Sequence, residues 1–306
     1  MKPLPSYYEL PSGDKIPSVA LGVWKASKGQ VGQAVKHALK TGYRHIDGAW
    51  IYGNEEEVGK AIGESGVPRG DLWITSKLWN DFHAPEDVEA ALDVSLKALN
   101  TEYLDLYLIH WPIAFKKGTR EVDHSLTENV YPTWQALEKL VDKGKVRNIG
   151  VSNFNIARMK NLTANPLKYT PAVNQVELSF WNPQPSLISW AKENHLLLEA
   201  YSPLGGDGQV GNSLRVPEVQ EIAKEVGITP AQVIISWLAQ RGSVVLPKSV
   251  TPSRIDENLQ VYELPQDLFE KLEKAAEGHE PKRTVNPSKG VGLGYDVFDE
   301  GWPFGQ

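Results

Sequence analysis

The feature that most constrains the fold of this 306-residue chain is an alternation of short, β-rich runs with longer amphipathic stretches. Most of the short runs are apolar on both faces, which is typical of parallel strands covered by helices. The eight runs are Val19–Val23, Tyr43–Asp47, Leu72–Lys77, Leu104–His110, Val146–Val151, Ala172–Val176, Leu196–Ala200 and Val244–Leu246. The alternation therefore predicts eight βα repeats.

The stretches between the runs have the periodicity of amphipathic helices, and several begin at Pro or Asp and end near Gly. They are Gln30–Lys40, Glu55–Ile62, Pro85–Leu99, Thr133–Lys143, Ile156–Thr163, Pro185–Glu193 and Pro230–Gln240. Two further helical stretches, Val216–Val226 and Pro265–Ala276, do not fit the strict alternation. We interpret these two as additions to the repeated unit.

Eight repeats without a compositional linker predict an α/β protein with a single (β/α)8 TIM barrel domain over residues 1–306. Turn signals at Gly13 and Asp14 indicate an N-terminal hairpin, and residues 280–306 form a polar, Gly-rich C-terminal tail. Two long irregular segments, Pro112–Tyr131 and Pro203–Arg215, directly follow strands, which in a barrel places them at the catalytic mouth. A doubly wound parallel sheet is the alternative fold.

Composition excludes several classes of protein. The chain has 32 Lys and Arg against 38 Asp and Glu, a formal charge of −6 without a dense basic stripe, so nucleic acid is not an expected partner. It has no cysteine, which excludes disulfides, thiolate metal sites and a cysteine nucleophile. The absence of cysteine, of an apolar signal core and of a membrane-spanning apolar stretch predicts a cytoplasmic protein. No spacing of His, Asp and Glu indicates a metal site.

Reactive polar side chains fall at or just beyond the C-terminal ends of the predicted strands, the face at which barrels place their active sites. They are Asp47, Lys77, His110, Asn153, Gln175, Tyr201 and Lys248. Strand ends are polar in many proteins, and each of these residues alone is more often structural than catalytic. The combination is what indicates a catalytic site.

Asp47, Tyr52, Lys77 and His110 together can deliver a proton. A phenol is a weak acid at neutral pH, but a neighbouring ammonium such as Lys77 stabilises the phenolate and lowers the pKa of Tyr52. Asp47 provides the counter-charge that the ammonium needs in a pocket. A neutral His110 can hold a substrate oxygen near the phenol by a hydrogen bond. The structural alternative is a surface lysine, a solvated aspartate, a core tyrosine and a histidine that caps its strand.

Three groups of segments around these residues form long and specific motifs. They are Gly42–Ala49 with Tyr52–Glu55 and Val58–Gly59, then Gly150–Phe154, and then Leu246–Ser249 with Arg254, Glu257 and Asn258. Together they resemble the signatures of the aldo-keto reductases, a family that includes aldose reductases, aldehyde reductases and glycerol dehydrogenases. Thr75–Trp79, Asp105–Pro112 and Tyr201–Leu204 agree as well, so the resemblance extends from Leu10 to Leu264.

The resemblance implies a monomeric barrel enzyme that transfers hydride between NADPH and a carbonyl compound. Tyr52 would be the general acid, Lys77 and Asp47 would tune its acidity, and His110 would orient the carbonyl group. Reduction of aldehydes and ketones, including sugar-type aldehydes, is the expected reaction. The alternative is oxidation of a glycerol-type polyol with NADP+ at the same site.

The resemblance also implies a set of cofactor-binding residues. They are Ser152, Asn153, Gln175, Tyr201, Ser202, Leu204, Lys248, Ser249, Val250, Arg254, Glu257 and Asn258. The first three would hold the carboxamide of the nicotinamide, Tyr201 would stack on its ring, and the last two would bind the adenine. Lys248, Ser249 and Arg254 would hold the adenosine 2′-phosphate, since two cations and a hydroxyl complement a phosphate dianion.

Aromatic side chains near the predicted strand ends are expected to line an apolar slot for the substrate. They are Trp24, Trp50, Trp79, Trp111 and Phe115, together with Trp302 in the tail. By the family resemblance, the tail folds over the barrel mouth and forms one wall of the substrate pocket. We therefore expect the tail to select among substrates.

Three alternative interpretations of the sequence agree less well with its residues. Gly206–Gly211 matches the Gly-x-Gly-x-x-Gly dinucleotide motif, but Asn212–Ser213 and Pro217 should delay the helix that this motif requires, so we interpret it as a loop beside the cofactor. Glu177 and Glu199 permit a barrel glycosidase, and a nucleotide-sensing partner subunit is a third class. The glycosidase would leave the tyrosine, the lysine and the phosphate-binding cations unexplained, and the intact catalytic residues argue against the partner subunit.

One segment departs from the family pattern. After Asn174–Leu178 the family usually continues with His-Pro-Tyr, whereas this chain has Ser179, Phe180 and Trp181. We expect this difference to affect the packing behind Gln175.

Overall fold

Strands and helices alternate along the part of the chain that the structure, a computed structural model, describes: residues 1–206 and 208–301. The strands are β1 (Tyr7–Glu9), β2 (Lys15–Pro17), β3 (Leu21–Gly22), β4 (His45–Asp47), β5 (Trp73–Leu78), β6 (Leu104–Ile109), β7 (Val146–Ser152), β8 (Val173–Glu177), β9 (Leu197–Tyr201) and β10 (Val244–Leu246). The α-helices are α1 (Gln30–Thr41), α2 (Glu55–Gly63), α3 (Pro85–Leu99), α4 (His124–Glu128), α5 (Tyr131–Asp142), α6 (Ile156–Thr163), α7 (Pro185–Glu193), α8 (Val210–Ser213), α9 (Pro217–Val226), α10 (Pro230–Gln240), α11 (Pro252–Leu259) and α12 (Gln266–Glu277).

Strands β3 to β10 form one eight-stranded sheet in which each strand lies beside the next one in the sequence. Strand β6 pairs in parallel with β5 and β7, and β9 pairs in parallel with β10. The chain just before β3 pairs with β10, because Val19 and Val245 form a parallel bridge and the Ala20 N–H donates to the Val245 carbonyl. This is the sheet of the predicted (β/α)8 barrel, since a doubly wound sheet reverses its strand order.

The predicted hairpin and the two added helices are also present. Strands β1 and β2 are antiparallel, with Tyr8 opposite Ile16, and α9 and α12 occupy the two stretches outside the strict alternation. The first barrel strand is shorter than predicted, at Leu21–Gly22. Within the described residues, no helix combines the length and the apolar character needed to cross a membrane.

Sequence analysis missed α4, α8 and α11. Helix α4 has five residues and begins inside a segment predicted to be irregular, where the Asp123 carboxylate accepts a hydrogen bond from the Leu126 N–H at 3.1 Å. Helix α8 begins at Val210, so the expectation that no helix would begin within Gly206–Gly211 is wrong. It has only four residues and does not open a βαβ unit, so the motif is still not a Rossmann site.

Contacts along the chain divide into two compact units. The first unit contains Met1–Ile46 and Gln175–Val285, and the second contains Asp47–Asn174 and, within the described part of the chain, residues 286–301. In the second unit, β5, β6 and β7 end at Leu78, Ile109 and Ser152, and parallel pairing places these ends at one edge of the sheet. The residues predicted to be catalytic lie at this edge.

Helices α2 and α3 of the second unit approach each other through Gly59. A Cβ atom at Gly59 would lie 2.6 Å from the carbonyl carbon and oxygen of Leu99, at the end of α3. Such a contact forces backbone to move, and overpacking of this kind typically costs about 1–3 kcal/mol. The glycine of this motif is therefore required by helix packing.

We predict that Gly59→Ala lowers the free energy of unfolding by about 1–3 kcal/mol, because the added methyl group meets the backbone of α3. Gly63→Ala, in the same helix, is the matched control, since its Cβ would meet nothing within 4 Å. The control should be neutral or more stable by up to about 1 kcal/mol. Urea unfolding of both variants measures the difference, and equal stabilities would contradict the packing argument.

Candidate active site

A buried ion pair between Lys77 and Asp47 lies at the ends of the adjacent strands β5 and β4. The Lys77 Nζ donates to both carboxylate oxygens of Asp47 at 2.9 Å and to the Gly48 carbonyl at 2.8 Å. The lysine side chain is fully buried and that of the aspartate nearly so. Each charge has lost its water, so each depends on the other for compensation.

Tyr52 ends a short 3-10 helix that follows β4. Its ring centroid lies 5.4 Å from the Lys77 Nζ and 5.9 Å from the ring centroid of His110. Burial raises the pKa of Tyr52 above its ordinary value, while the charge of Lys77 and its hydrogen bond to the phenol lower it. The sequence predicted the effect of Lys77 but not the larger effect of burial. The phenol therefore carries its proton at neutral pH, which is the state that a general acid needs.

His110 follows β6 and faces the same cluster. Its ring packs edge-on against Trp79 with centroids 5.3 Å apart, and its backbone carbonyl accepts a hydrogen bond from the Asn153 Nδ2 at 3.0 Å. Burial, assisted by the charge of Lys77, holds the pKa of His110 well below its ordinary value. The imidazole is therefore neutral at pH 7, and a neutral ring next to a phenol can share a hydrogen bond with a substrate oxygen.

Asn153 and Ser152, at the end of β7, are both buried in the second unit. Asn153 has a φ of +65°, a left-handed conformation that asparagine adopts more readily than most residues. Its Nδ2 donates to the His110 carbonyl and, at 3.2 Å, to the Ser152 Oγ. The amide is thus held in one orientation beside His110.

Gln175 lies in the first unit on β8, where its side chain is also held in one orientation. Its Nε2 donates to the Glu199 Oε2 at 2.7 Å, and Glu199 is fully buried on β9. Because an ionised carboxylate only accepts hydrogen bonds, this contact sets which end of the Gln175 amide is the donor toward Glu199. Tyr201, Ser202 and Leu204 follow on the same strand and loop, all half-buried. Sequence analysis had considered Glu199 only as a glycosidase carboxylate.

The predicted phosphate-binding residues lie between β10 and α11 in the first unit. Lys248 and Arg254 are exposed, and in the described part of the chain neither has an ion-pair partner. Ser249 accepts a hydrogen bond through its Oγ from the Thr251 N–H at 3.1 Å, just before α11 begins. Val250 and Glu257 are half-buried, and Asn258 is buried. Two uncompensated cations next to a helix N-terminus have the chemistry that a phosphate dianion requires.

Four of the predicted substrate residues lie in the second unit. Trp50 packs edge-on against Phe82 with centroids 5.0 Å apart, and Trp111 packs against Phe298 of the tail at 6.1 Å. Trp79 contacts His110, as described, and Phe115 is half-buried. Trp24 belongs to the first unit, is 38% exposed and lies under the Lys25 ammonium, and Trp302 lies outside the described residues.

Glu177, one of the two glycosidase candidates, has a structural role. Its buried carboxylate accepts hydrogen bonds from the Thr284 N–H at 2.8 Å, the Thr284 hydroxyl at 2.9 Å and the Val285 N–H at 2.9 Å. With these donors in place, it is an anchor for the segment that leads into the tail. The site therefore does not support the glycosidase alternative.

The departure at Ser179–Trp181 builds an aromatic cluster in the first unit. The ring of Trp181 lies 5.1 Å from that of Phe180 and 4.9 Å from that of His279, and the Trp181 Nε1 donates to the Ser213 Oγ at 2.9 Å. The cluster therefore connects the loop after β8 with α8 and with the segment after α12.

The sequence and the fold of this chain are similar to those of known proteins. The family model described as "Aldo/keto reductase family" matches residues 18–277. The chain is 42% identical to a glycerol 2-dehydrogenase (NADP(+)) of Hypocrea jecorina, over 96% of this chain and 98% of the relative. It is also 42% identical to an aldehyde reductase of Saccharomyces cerevisiae, over 91% and 93%. An aldose reductase structure from Schistosoma japonicum superposes with a TM-score of 0.86 at 38% identity and covers 97% of this chain and 98% of its own.

The fold and the site define a barrel oxidoreductase. The chain belongs to the aldo/keto reductase family, as the motifs predicted.

The loop after β5 offers a test of the electrostatics of this region. His83 is buried, and neither of its ring nitrogens has a hydrogen-bond partner among the described residues. Burial lowers the pKa of His83 to about 4, with Asp123 acting in the opposite direction. The unfolded chain therefore binds more protons at this position between about pH 6.5 and pH 4, and the folded protein loses stability as the pH falls through that window.

We predict that the free energy of unfolding falls by about 2 kcal/mol less between pH 7 and pH 5 in the His83→Met protein than in the wild-type protein. Urea unfolding of both proteins at the two pH values gives this difference. His124→Met is the control, because His124 is a largely exposed histidine of α4. An equal loss of stability in wild-type and His83→Met proteins would show that His83 does not titrate as a buried group.

Proposed function

We propose that Tyr52 is the general acid of an NADP(H)-dependent reductase of aldehydes and ketones, including sugar-type aldehydes. The observation that carries this proposal is the cluster in which a protonated phenol lies beside a buried ammonium and a neutral imidazole. The family reduces carbonyl compounds with NADP(H), and NADPH supplies the hydride when bound. Side chains of this protein orient the carbonyl oxygen and supply the proton.

Negative charge develops on the substrate oxygen as the carbonyl carbon is reduced. The neutral His110 donates a hydrogen bond to that oxygen, and the Tyr52 hydroxyl transfers its proton to it, which yields the alcohol and a phenolate. The phenolate forms next to the Lys77 ammonium, whose charge lowers the energy of the anion. Asp47 keeps the ammonium in place through both carboxylate oxygens. A proton from solvent restores Tyr52 for the next turnover.

Two sets of residues have the chemistry to bind NADPH, one at its nicotinamide end and one at its adenosine 2′-phosphate end. In the proposed arrangement, Ser152, Asn153 and Gln175 hold the carboxamide of the nicotinamide and Tyr201 stacks on its ring. The orienting bonds to Asn153 and Gln175 support this role, because a carboxamide is recognised only by amides that present a defined donor and acceptor. At the other end, Lys248 and Arg254, which have no ion-pair partner among the described residues, receive the 2′-phosphate. Ser202, Leu204, Ser249, Val250, Glu257 and Asn258 complete the set.

The direction of the reaction has two candidates. Reduction of aldehydes requires a protonated Tyr52, and one relative is named an aldehyde reductase. Oxidation of a glycerol-type polyol would use the same proton path in reverse, and other relatives are named glycerol 2-dehydrogenases (NADP(+)).

We further propose that the chain acts as a monomer in the cytoplasm and as one catalytic domain. The family match across both compact units supports the last point.

We predict that Tyr52→Phe lowers the turnover of carbonyl reduction by at least about 10²-fold while NADPH still binds, because only the proton donor is lost. The loss of NADPH absorbance, followed by stopped-flow or in the steady state, measures turnover, and quenching of tryptophan fluorescence measures NADPH binding. Tyr107→Phe is a control, since Tyr107 is buried on β6 and has no part in the proposed mechanism. A Tyr52→Phe enzyme with most of its turnover would exclude Tyr52 as the acid.

We predict that Arg254→Ala weakens NADPH binding by about ten- to a hundredfold, the equivalent of one charge-assisted contact, and leaves NADH binding nearly unchanged. NADH lacks the phosphate that the guanidinium would contact. Arg147→Ala, at an exposed arginine of β7 near Asp105, should change neither affinity. An equal loss of affinity for both nucleotides in Arg254→Ala would mean that the arginine stabilises the fold and does not bind the phosphate.

A further inference from the structure

Two segments that follow neighbouring strands border an open groove in the second unit. One is the 3-10 helix Asn80–Phe82 after β5, and the other is the hairpin formed by residues 115–122 after β6. The groove has a volume of about 570 Å³, a size typical of ligand sites. It is lined by Asp81, Phe82, Lys117, Gly118, Thr119 and Arg120. None of these residues takes part in the proton transfer or the cofactor binding proposed above.

The hairpin that forms one wall of the groove is fixed at its base and at its tip. The Lys116 N–H donates to the Glu121 carbonyl at 2.9 Å. The Thr119 hydroxyl donates to the Lys116 carbonyl at 2.8 Å and accepts from the Glu121 N–H at 3.1 Å. At the tip, Lys117 forms an ion pair with Asp87 of α3. This wall of the groove therefore has a defined shape.

Asp81 and Arg120 come from the two sides of the groove, the first from the 3-10 helix and the second from the hairpin. Asp81 is half-buried and Arg120 is exposed, and neither side chain has a hydrogen-bond or ion-pair partner in the described part of the chain. Burial raises the pKa of Asp81, and the charge of Arg120 opposes this rise, so the two groups are near neighbours. The groove thus offers a strong acceptor and a strong donor to a ligand.

Phe82 connects the groove to the candidate site. Its ring packs edge-on against Trp50 with centroids 5.0 Å apart, and Trp50 begins the 3-10 helix that ends at Tyr52. The Phe82 N–H donates to the Trp79 carbonyl at 3.0 Å, and the ring of Trp79 contacts His110. Along both routes a tryptophan links Phe82 to a residue of the candidate site. The groove therefore borders that site.

We propose that this groove is a second sugar subsite, which binds the non-reducing ring of a disaccharide while its open-chain aldehyde end lies at Tyr52 and His110. The inference rests on the proposed function and extends its substrates to reducing sugars longer than one ring. Because a hydroxyl both donates and accepts, neighbouring sugar hydroxyls can donate to the Asp81 carboxylate and accept from the Arg120 guanidinium. The apolar C–H face of the ring can pack on Phe82. An anionic group would be attracted by Arg120 but repelled by Asp81.

The test measures kcat and KM of the full chain with NADPH for glucose, maltose and cellobiose. All three have the same glucose unit at the reducing end, and the two disaccharides add a second ring through different linkages. For one of the disaccharides, the wild-type KM should be about five- to thirtyfold lower than for glucose, because the second ring adds hydrogen bonds to charged groups. The kcat values should be similar, because these contacts are the same in the ground state and the transition state.

Asp81→Asn and Arg120→Gln should each raise the KM for that disaccharide at least about fivefold, toward the value for glucose, because hydrogen bonds to neutral groups are weaker. The KM for glucose, which has no second ring, should change less than about twofold. Glu121→Gln and Lys116→Gln are the matched controls. These two residues are exposed, pair with each other in the same hairpin and do not line the groove. Their variants should leave the ratio of the KM values unchanged.

A wild-type KM that is no lower for either disaccharide than for glucose would overturn the inference, as would an unchanged disaccharide KM in both groove variants. Glucose 6-phosphate is the anionic comparison. If its KM is lower than those of both disaccharides, rises in Arg120→Gln and falls in Asp81→Asn, the groove binds an anion and the inference is overturned. A wild-type protein that reduces neither propanal nor any of these sugars would instead overturn the proposed function.

Discussion

The Lys77 ammonium and the Asp47 carboxylate lie out of water at the ends of adjacent strands, so each is tolerated there only because the other is present. Loss of one member of such a pair leaves a buried charge and typically costs about 3–5 kcal/mol. The pair also acts on its neighbours: burial raises the pKa of Tyr52 and lowers the pKa of His110, and the charge of Lys77 opposes the first shift and adds to the second. Fold stability and the proton transfer that we propose for Tyr52 thus depend on the same two side chains.

Three buried glutamates show that the surroundings of a carboxylate decide its use. Glu177 accepts several donors from the segment 284–285, and Glu199 accepts one from Gln175. Glu55, at the start of α2, accepts a hydrogen bond from the Ser76 hydroxyl, and burial raises its pKa. In each case the carboxylate organises a neighbouring element. This is why Glu177 and Glu199, seen in the sequence alone, permitted the less favoured glycosidase interpretation.

The sequence predicted the eight barrel strands well because buried parallel strands are apolar on both faces, a pattern that survives without tertiary information. It predicted that Asp47, Lys77 and His110 would lie close together, because the C-terminal ends of neighbouring parallel strands meet at one end of the sheet. It did not predict α4 or α8, because helices of five and four residues are too short to show a helical period. Nor could it reveal that the Glu300 carboxylate accepts from the Ile156 N–H or that the Arg158 guanidinium donates to the Val297 carbonyl, because these partners lie more than a hundred residues apart along the chain. The net rise in the pKa of Tyr52 likewise depends on burial, which has no local sequence signal.

The pairing of Val19 with Val245 has a consequence for how the protein is made. A sheet whose first and last strands pair has no edge strand left to recruit another chain, but it acquires this protection only when the last strand arrives. During synthesis β3 emerges early and β10 late, so the growing sheet has two unpaired edges until most of the chain has left the ribosome. Contacts between such distant parts of a chain also form slowly. The nascent chain, whose sheet edges are unpaired, is therefore more exposed to aggregation than the folded enzyme.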